Sequence, residues 1–213
     1  LGNRTPLQVA KHPNMDFIAS RGLTGLVKTI PIGSDPGTDS AFLSIFGNNP
    51  SKLNTGRGPL EAAGQGIHLN KNDIALRCNL VTVIDGVLKD HSGGHITTNE
   101  SRDLLKSLKD YLEQSESIEF YLGVSYRHLL VLRGTKYSDK ILCTPPHDAI
   151  NTGIDSILIK AVDESGKSTA EMLNKIIMDS YKILQNHIVN LARIKSEKNP
   201  ANMMWPWGQG RRP

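Results

Sequence analysis

The sequence contains no run of about 18 consecutive apolar residues, so it offers no segment that would cross a bilayer as a helix. It has only two cysteines, Cys78 and Cys143, too few and too far apart for a disulfide framework or a metal-type pair. Both lie in apolar, strand-like stretches and read as reduced thiols of a cytoplasmic protein. Aromatic residues make up 5% of the chain, too little for a base-stacking platform. The net charge of +4 comes from scattered Lys and Arg, with only Arg211 and Arg212 side by side. That balance favours a small anionic ligand over nucleic acid or a membrane. There is no internal repeat, no low-complexity tract, and no basic segment leading into an apolar stretch as in a signal peptide. The chain opens on Leu1 rather than Met and stops at Pro213 just after "WPWGQG", which leads us to expect a piece of a longer protein.

What is present is a mixture of helix and strand signals. Residues 5–22 read as two short helices split by Pro13, the second capped by Asn14 and ended by Gly22. "LTGLVKTI", Leu23–Ile30, alternates as a strand, and a loop rich in Gly, Pro and Asp leads to a short helix from Thr38. A short helix is expected near Pro59, and "DIALRCNLVTVIDGVLKD" reads as two strands joined by an Asp85-Gly86 hairpin. Thr97 and Glu100 form a capping box ahead of a helix carrying Leu104, Leu105, Leu108 and Leu112. Residues 117–134 read as strand, Gly turn, strand, and "SILIKAV" as a short strand. Ser168 and Glu171 box a long helix with Leu173, Ile176, Ile177 and Leu184 in its apolar stripe. The tail from Lys198 reads as irregular. The fold class is α/β or α+β.

Several loops carry groups suited to chemistry. Thr38 and Asp39 stand at a helix start, where free N–H groups and the helix dipole favour an anion. A hydroxyl there can attack phosphorus, although a simple helix cap explains the same pattern. Arg57, between two glycines, suits a bidentate grip on phosphate or carboxylate, or is a turn residue facing water. Arg77 interrupts an apolar strand. In "DHSGGHITT", His91 and His95 flank glycines that would let a ligand approach, or else shape a loop entering a helix. Arg127 and His128 pair an anion grip with a proton donor at a strand start, and His147 and Asp148 are read as shaping a turn.

The ordered blocks "TPLQVAKHPNMDFIASRGLTGLVKTI", "PGTDSAFLSIFGNNP", "TGRGPLEAAGQGI", "ALRCNLVTV", "DHSGGHITT", "GVSYRHLLVL", "TPPHD" and "KNPANMMWPWGQG" resemble the archaeal-type cofactor-independent phosphoglycerate mutases of the alkaline phosphatase superfamily. The likeness runs over essentially the whole chain. It implies interconversion of 3-phosphoglycerate and 2-phosphoglycerate in glycolysis and gluconeogenesis, through a phosphoenzyme, without 2,3-bisphosphoglycerate. It also implies two divalent cations, Mn2+ or Mg2+, a small-molecule substrate, no nucleic acid or membrane partner, and room for a homo-oligomer. A Ser of the family's "PGTD" block takes the phosphoryl group; here that position is Thr38, also a metal ligand by this likeness. Arg57, Arg77 and Arg127 are carried over as anion clamps, with His91 and His128 also in substrate-handling loops. His95 is carried over as the proton carrier.

By the same resemblance, residues 1–47 form part of a metal-binding, alkaline-phosphatase-like core. Residues 48–190 form an inserted α+β lid, and residues 191–213 return to the core. The core's remaining metal ligands would lie outside this chain, leaving it incomplete for activity as it stands. The rival expectations are a related metal-dependent phosphatase or phosphotransferase acting on another small phosphorylated acid, and a non-catalytic ligand-binding fragment.

Overall fold

The computed structural model describes residues 2–32, 37–53, 55–112 and 115–212, and the side chains of all of these except 109 and 110. The chain divides into two compact units, Leu1–Asn48 and Asn49–Pro213.

Among its described residues the first unit carries three helices. α1 (Pro6–Val9) starts with a reciprocal capping box between Thr5 and Gln8, and α2 (Pro13–Arg21) ends at Gly22. The cap of α2 is His12 rather than Asn14, because Pro13 already sits at the first helical position, where its missing N–H costs nothing. α3 (Thr38–Ile45) begins after Gly37. The strand expected over Leu23–Ile30 is not formed: no ladder joins this segment among the described residues, and Leu23 and Leu26 are fully exposed. Alternation supplies a face to bury, but a strand also needs a neighbour to bond.

The second unit opens with α4 (Pro50–Leu53) and α5 (Arg57–Gly64). Its spine is β1 (Ile74–Ile84), eleven residues long and almost wholly buried. Asp85 and Gly86, both with positive φ, turn it back into β2 (Val87–Asp90), as the Asp-Gly pair requires. α6 (Thr98–Leu112) follows its expected box, with the Thr97 N–H and hydroxyl both donating to the Glu100 carboxylate. β3 (Ile118–Tyr121) and β4 (Arg127–Leu132) form the expected pair. "SILIKAV" divides: α7 (Ile154–Ile157) precedes a two-residue strand β6 (Lys160–Ala161), which pairs β5 (Ile141–Leu142). α8 (Lys167–Leu184) starts one residue before Ser168, on Gly166, so the expected second box is not its cap. The preceding turn, Glu164–Gly166, is capped instead by Asp163 and runs straight into the helix. α9 (Ile188–Lys195) and β7 (Met203–Gly210) complete the unit.

β7 overturns the reading of the tail as irregular. It pairs antiparallel with β1 from Ala75 to Val81, while β4 pairs the other side of β1 from Ile74 to Asn79. Pro206 and the glycines suggested a loop, yet β7 bonds only β1, and an edge strand tolerates a residue with no N–H. Residues 191–213, which the resemblance assigns to the core, therefore contribute here to the same sheet as β1, within Asn49–Pro213.

The sheet has two distinct faces. Leu76, Cys78, Leu80, Leu130 and Leu132 pack with Leu104 and Leu108 of α6 and Leu173 and Ile177 of α8. Ala75, Leu129 and Val131 pack with Ala62 of α5 and Leu69. Both cysteines are buried and free, and burial pushes the Cys143 thiol up to about 12. No helix among the described residues is long and apolar enough to cross a membrane.

Just before β7, the buried Asn202 side chain extends the ladder. Its Oδ1 accepts from the Val83 N–H at 2.8 Å and its Nδ2 donates to the Val83 carbonyl at 2.8 Å. Removing it leaves two buried backbone groups unsatisfied. Asn202→Ala is expected to lower unfolding stability by about 2–4 kcal/mol, measured by urea titration, with the far-ultraviolet spectrum unchanged.

Candidate anion-binding site

Alternation along β1 sets the site. Arg77 and Asn79 are two residues apart and share a face. Arg77 lies opposite Leu129 of β4 and Trp207 of β7, and Asn79 lies opposite Arg127 and Trp205. A bulge in β7 between Trp207 and Gly210 brings the strand against the start of α5, where Arg57 is the first helical residue.

The Trp207 ring stands at the centre. The Arg57 guanidinium carbon lies 5.2 Å from its centroid and that of Arg77 5.4 Å. The His147 ring meets it edge-on at 5.2 Å. His91 is 6.2 Å from His147 and 6.0 Å from Tyr126, over which Arg127 sits at 5.1 Å. Asn79 ties the parts together: its Oδ1 accepts from Trp207 Nε1 at 3.0 Å, and its Nδ2 donates to the His91 carbonyl at 2.9 Å.

Among the described residues, three guanidinium groups and two imidazoles thus face two nearby carboxylates, Glu61 and Asp148. Glu61 is 3.8 Å from Arg77 Nε, an ion pair too long for a hydrogen bond, and that buried Nε has no hydrogen-bond partner. Burial lowers the Arg77 pKa, Glu61 opposes that shift, and the charges of Arg127 and Arg57 add to the lowering. A cluster of cations with unused donors is electrostatically complementary to a multivalent anion.

Of the residues singled out in the sequence, Arg57, Arg77, Arg127 and His91 come together here. His128 does not: it points to the opposite face, opposite Cys78, and is 1% exposed. Its Nδ1 accepts from the Gly123 N–H at 3.1 Å, and its Nε2 is buried without a partner. Neighbours along a strand face opposite ways, which separates Arg127 from His128. His95 is exposed with a positive φ, and no hydrogen bond or ring contact joins its side chain to the cluster among the described residues. Thr38 belongs to the first unit. It is exposed at the first position of α3, with Gly37 as the N-cap, so it is not itself the cap.

The glycines of the two candidate loops serve internal packing rather than ligand approach. A Cβ on Gly58 would lie 2.1 Å from the Ala75 carbonyl oxygen, so α5 can rest on β1 only with glycine there. A Cβ on Gly94, already at φ +64°, would meet Arg193 Nη2 at 2.7 Å. Arg193, which the sequence reading passed over, is 3% exposed. It donates to both Glu100 oxygens at 3.0 Å, to the Gly93 and Gly94 carbonyls at 2.9 Å and to the Asn199 carbonyl at 2.9 Å. Asp90 accepts from the Ser92 and Gly94 N–H groups of the same loop. Trp207, Asn79 and His147 were also missed as site residues. The alternation of Arg77 with Asn79 and of Trp205 with Trp207 was the available signal.

Two histidines yield pH predictions. Burial lowers His128 to about 3, so the unfolded chain takes up a proton below its ordinary 6.5 that the folded chain refuses until about 3. Stability contributed by the neutral ring is therefore lost as pH falls through that window, by about 1.4 kcal/mol per unit. Denaturant titrations from pH 7 to pH 5 should give a clearly flatter profile for His128→Phe than for the parent. His147 is lowered by burial first, then by Arg57, His91 and Arg77, against the raising influence of Asp148. Its ring protons should titrate below 6.5 by NMR and move upward in pH when phosphate is added, because a bound anion cancels the arginine repulsion.

Comparisons with known proteins place the chain in a family. Residues 19–190 match the model of the 2,3-bisphosphoglycerate-independent phosphoglycerate mutase family. The chain is 46% identical over 213 residues to a protein of that name from Methanosarcina mazei, covering 100% of this chain and 52% of that protein. It is 41% identical over 217 residues to a probable mutase of the same type from Geobacter sulfurreducens, again covering 52% of it. The solved structure of a cofactor-independent phosphoglycerate mutase from Thermoplasma acidophilum superposes with a TM-score of 0.61 at 33% identity, over 99% of this chain and 55% of that one. The chain spans about half the length of the curated relatives it matches. On this evidence it belongs to the 2,3-bisphosphoglycerate-independent phosphoglycerate mutase family.

Proposed function

We propose that the protein interconverts 3-phosphoglycerate and 2-phosphoglycerate, with the arginine cluster of the second unit as the substrate grip and Thr38 of the first as the phosphoryl acceptor. The observation that carries the reading is the convergence of Arg57 and Arg77 on Trp207, with Arg127 over the neighbouring Tyr126 and its charge felt by Arg77. A phosphoglycerate presents a carboxylate and a phosphoryl group a few bonds apart, and several guanidinium forks can hold both ends of such an ion.

The chemistry asked of this chain is modest. The Thr38 hydroxyl loses its proton and bonds to phosphorus while the bond from phosphorus to the substrate's C3 oxygen breaks. The leaving C3 oxygen takes up a proton; in the second transfer the C2 hydroxyl gives up its proton and bonds to phosphorus while the Thr38 oxygen–phosphorus bond breaks and that oxygen regains a proton, with no net consumption of water. Steady grip on the carboxylate keeps the glycerate in place between the two transfers. His95 remains the proton carrier assigned by resemblance, and His91 and His147 lie nearer the arginines. His128, neutral and buried, fits a packing role.

The divalent cations implied by the family find no cage here. Among the described residues no group of three or more His, Cys, Asp or Glu side chains is placed to hold one. Thr38 alone stands as an expected ligand. Manganese or magnesium, a cytoplasmic setting and a homo-oligomer belong to the same reading by resemblance. It needs neither 2,3-bisphosphoglycerate nor a nucleic acid or membrane partner.

The test is phosphorus NMR of the full-length protein with 3-phosphoglycerate, with and without added manganese. Appearance of 2-phosphoglycerate is expected. Free phosphate as sole product would favour a phosphatase instead, and no turnover with metal supplied would overturn the mutase reading. Thr38→Ala should lower kcat by at least about a thousandfold, whereas Thr38→Ser should retain activity.

A further inference from the structure

Arg57 and Arg77 present a physical difficulty. Both guanidinium groups lie against the same indole, and like charges this close repel. Among the described residues carboxylates do not resolve it: the ion pair of Arg77 is the long contact to Glu61, and its buried Nε is unpartnered. The Trp207 ring supplies what the acids do not. Its face carries negative quadrupole density that attracts cations, most strongly among the aromatic side chains. The ring is fixed in three ways: 4% exposure, the Nε1–H bond to Asn79, and pairing opposite Arg77 in the β1–β7 ladder.

We infer that Trp207 is a positioning residue: its indole, locked by Asn79, holds Arg57 and Arg77 side by side so that both can close on one anion. This rests on the substrate grip proposed above and adds what assembles it. A carboxylate in the ring's place would also gather the arginines, but it would satisfy their donors and compete with the ligand. A ring gathers cations while leaving their N–H groups open. Binding of an anion then relieves the repulsion that the free site tolerates.

The test uses graded fluorination of the indole at position 207 alone, by site-specific incorporation of fluorotryptophans into the full-length protein. Fluorine withdraws density from the ring face with little change in shape, so a merely structural role would be insensitive to it. KM for 3-phosphoglycerate should climb stepwise with fluorine number, by about tenfold across the series, with kcat within about twofold. A flat KM series in an active enzyme overturns the inference while leaving the mutase reading intact. A second readout is independent of turnover: the fluorine resonance of Trp207 should shift on titration with inorganic phosphate. If it shifts in a protein that turns over no phosphoglycerate, the positioning role stands and the mutase reading fails. If it does not shift at saturating phosphate, the inference is overturned. Trp207→Tyr should restore most of the affinity lost in Trp207→Leu; equal KM values in those two variants would also contradict it.

Discussion

The antiparallel pairing of β1 with β7 is the contact on which the second unit depends. It sets Trp207 across from Arg77, lays Asn202 onto the Val83 backbone and closes a sheet that β4 and β3 extend on the other side. Without it the arginines on β1 and α5 would have no common ring to lean on, and α8 would lose the surface it covers. The site is a property of this pairing more than of any single loop.

Arginine is used in two ways in this unit. Arg193 and Arg133 are saturated: Arg193 fills its donors with Glu100 and three carbonyls, and Arg133 with Asp73, Glu119, Tyr121 and the His68 carbonyl. These side chains fasten loops to the sheet, and Arg133 is held firmly charged by the acids around it. Arg57, Arg77 and Arg127 instead rest on aromatic rings, and among the described residues the buried Nε of Arg77 has no hydrogen-bond partner. The same residue type is structural where carboxylates and carbonyls meet it, and suited to a ligand where rings do.

Much of this was legible in the chain. The Asp-Gly hairpin, the Thr97–Glu100 box and the leucine stripe of α6 are local signals, decided by residues within a few positions of each other. Arg57, Arg77, Arg127 and His91 were legible as a set through resemblance. The failures share a cause. β7 was hidden because Pro206 and two glycines look like breakers until the strand is known to lie at an edge. Arg193 was passed over because its partners lie about a hundred residues away. Arg127 and His128 looked like a pair because adjacency in sequence is not adjacency across a pleat. The glycines beside Arg57 and in "HSGGH" were credited to a ligand, when backbone and Arg193 occupy the space above them.

The β1–β7 pairing joins residues as far apart as Ala75 and Gly210, and that separation bears on how the chain is made. On the ribosome β1 and its hairpin partner emerge early, and one long apolar edge of β1 then waits while α6, β4 and α8 are synthesised. Until β7 arrives, that edge is an open template for another nascent chain. The arrival of β7 therefore both seals the sheet and ends the exposure of that edge.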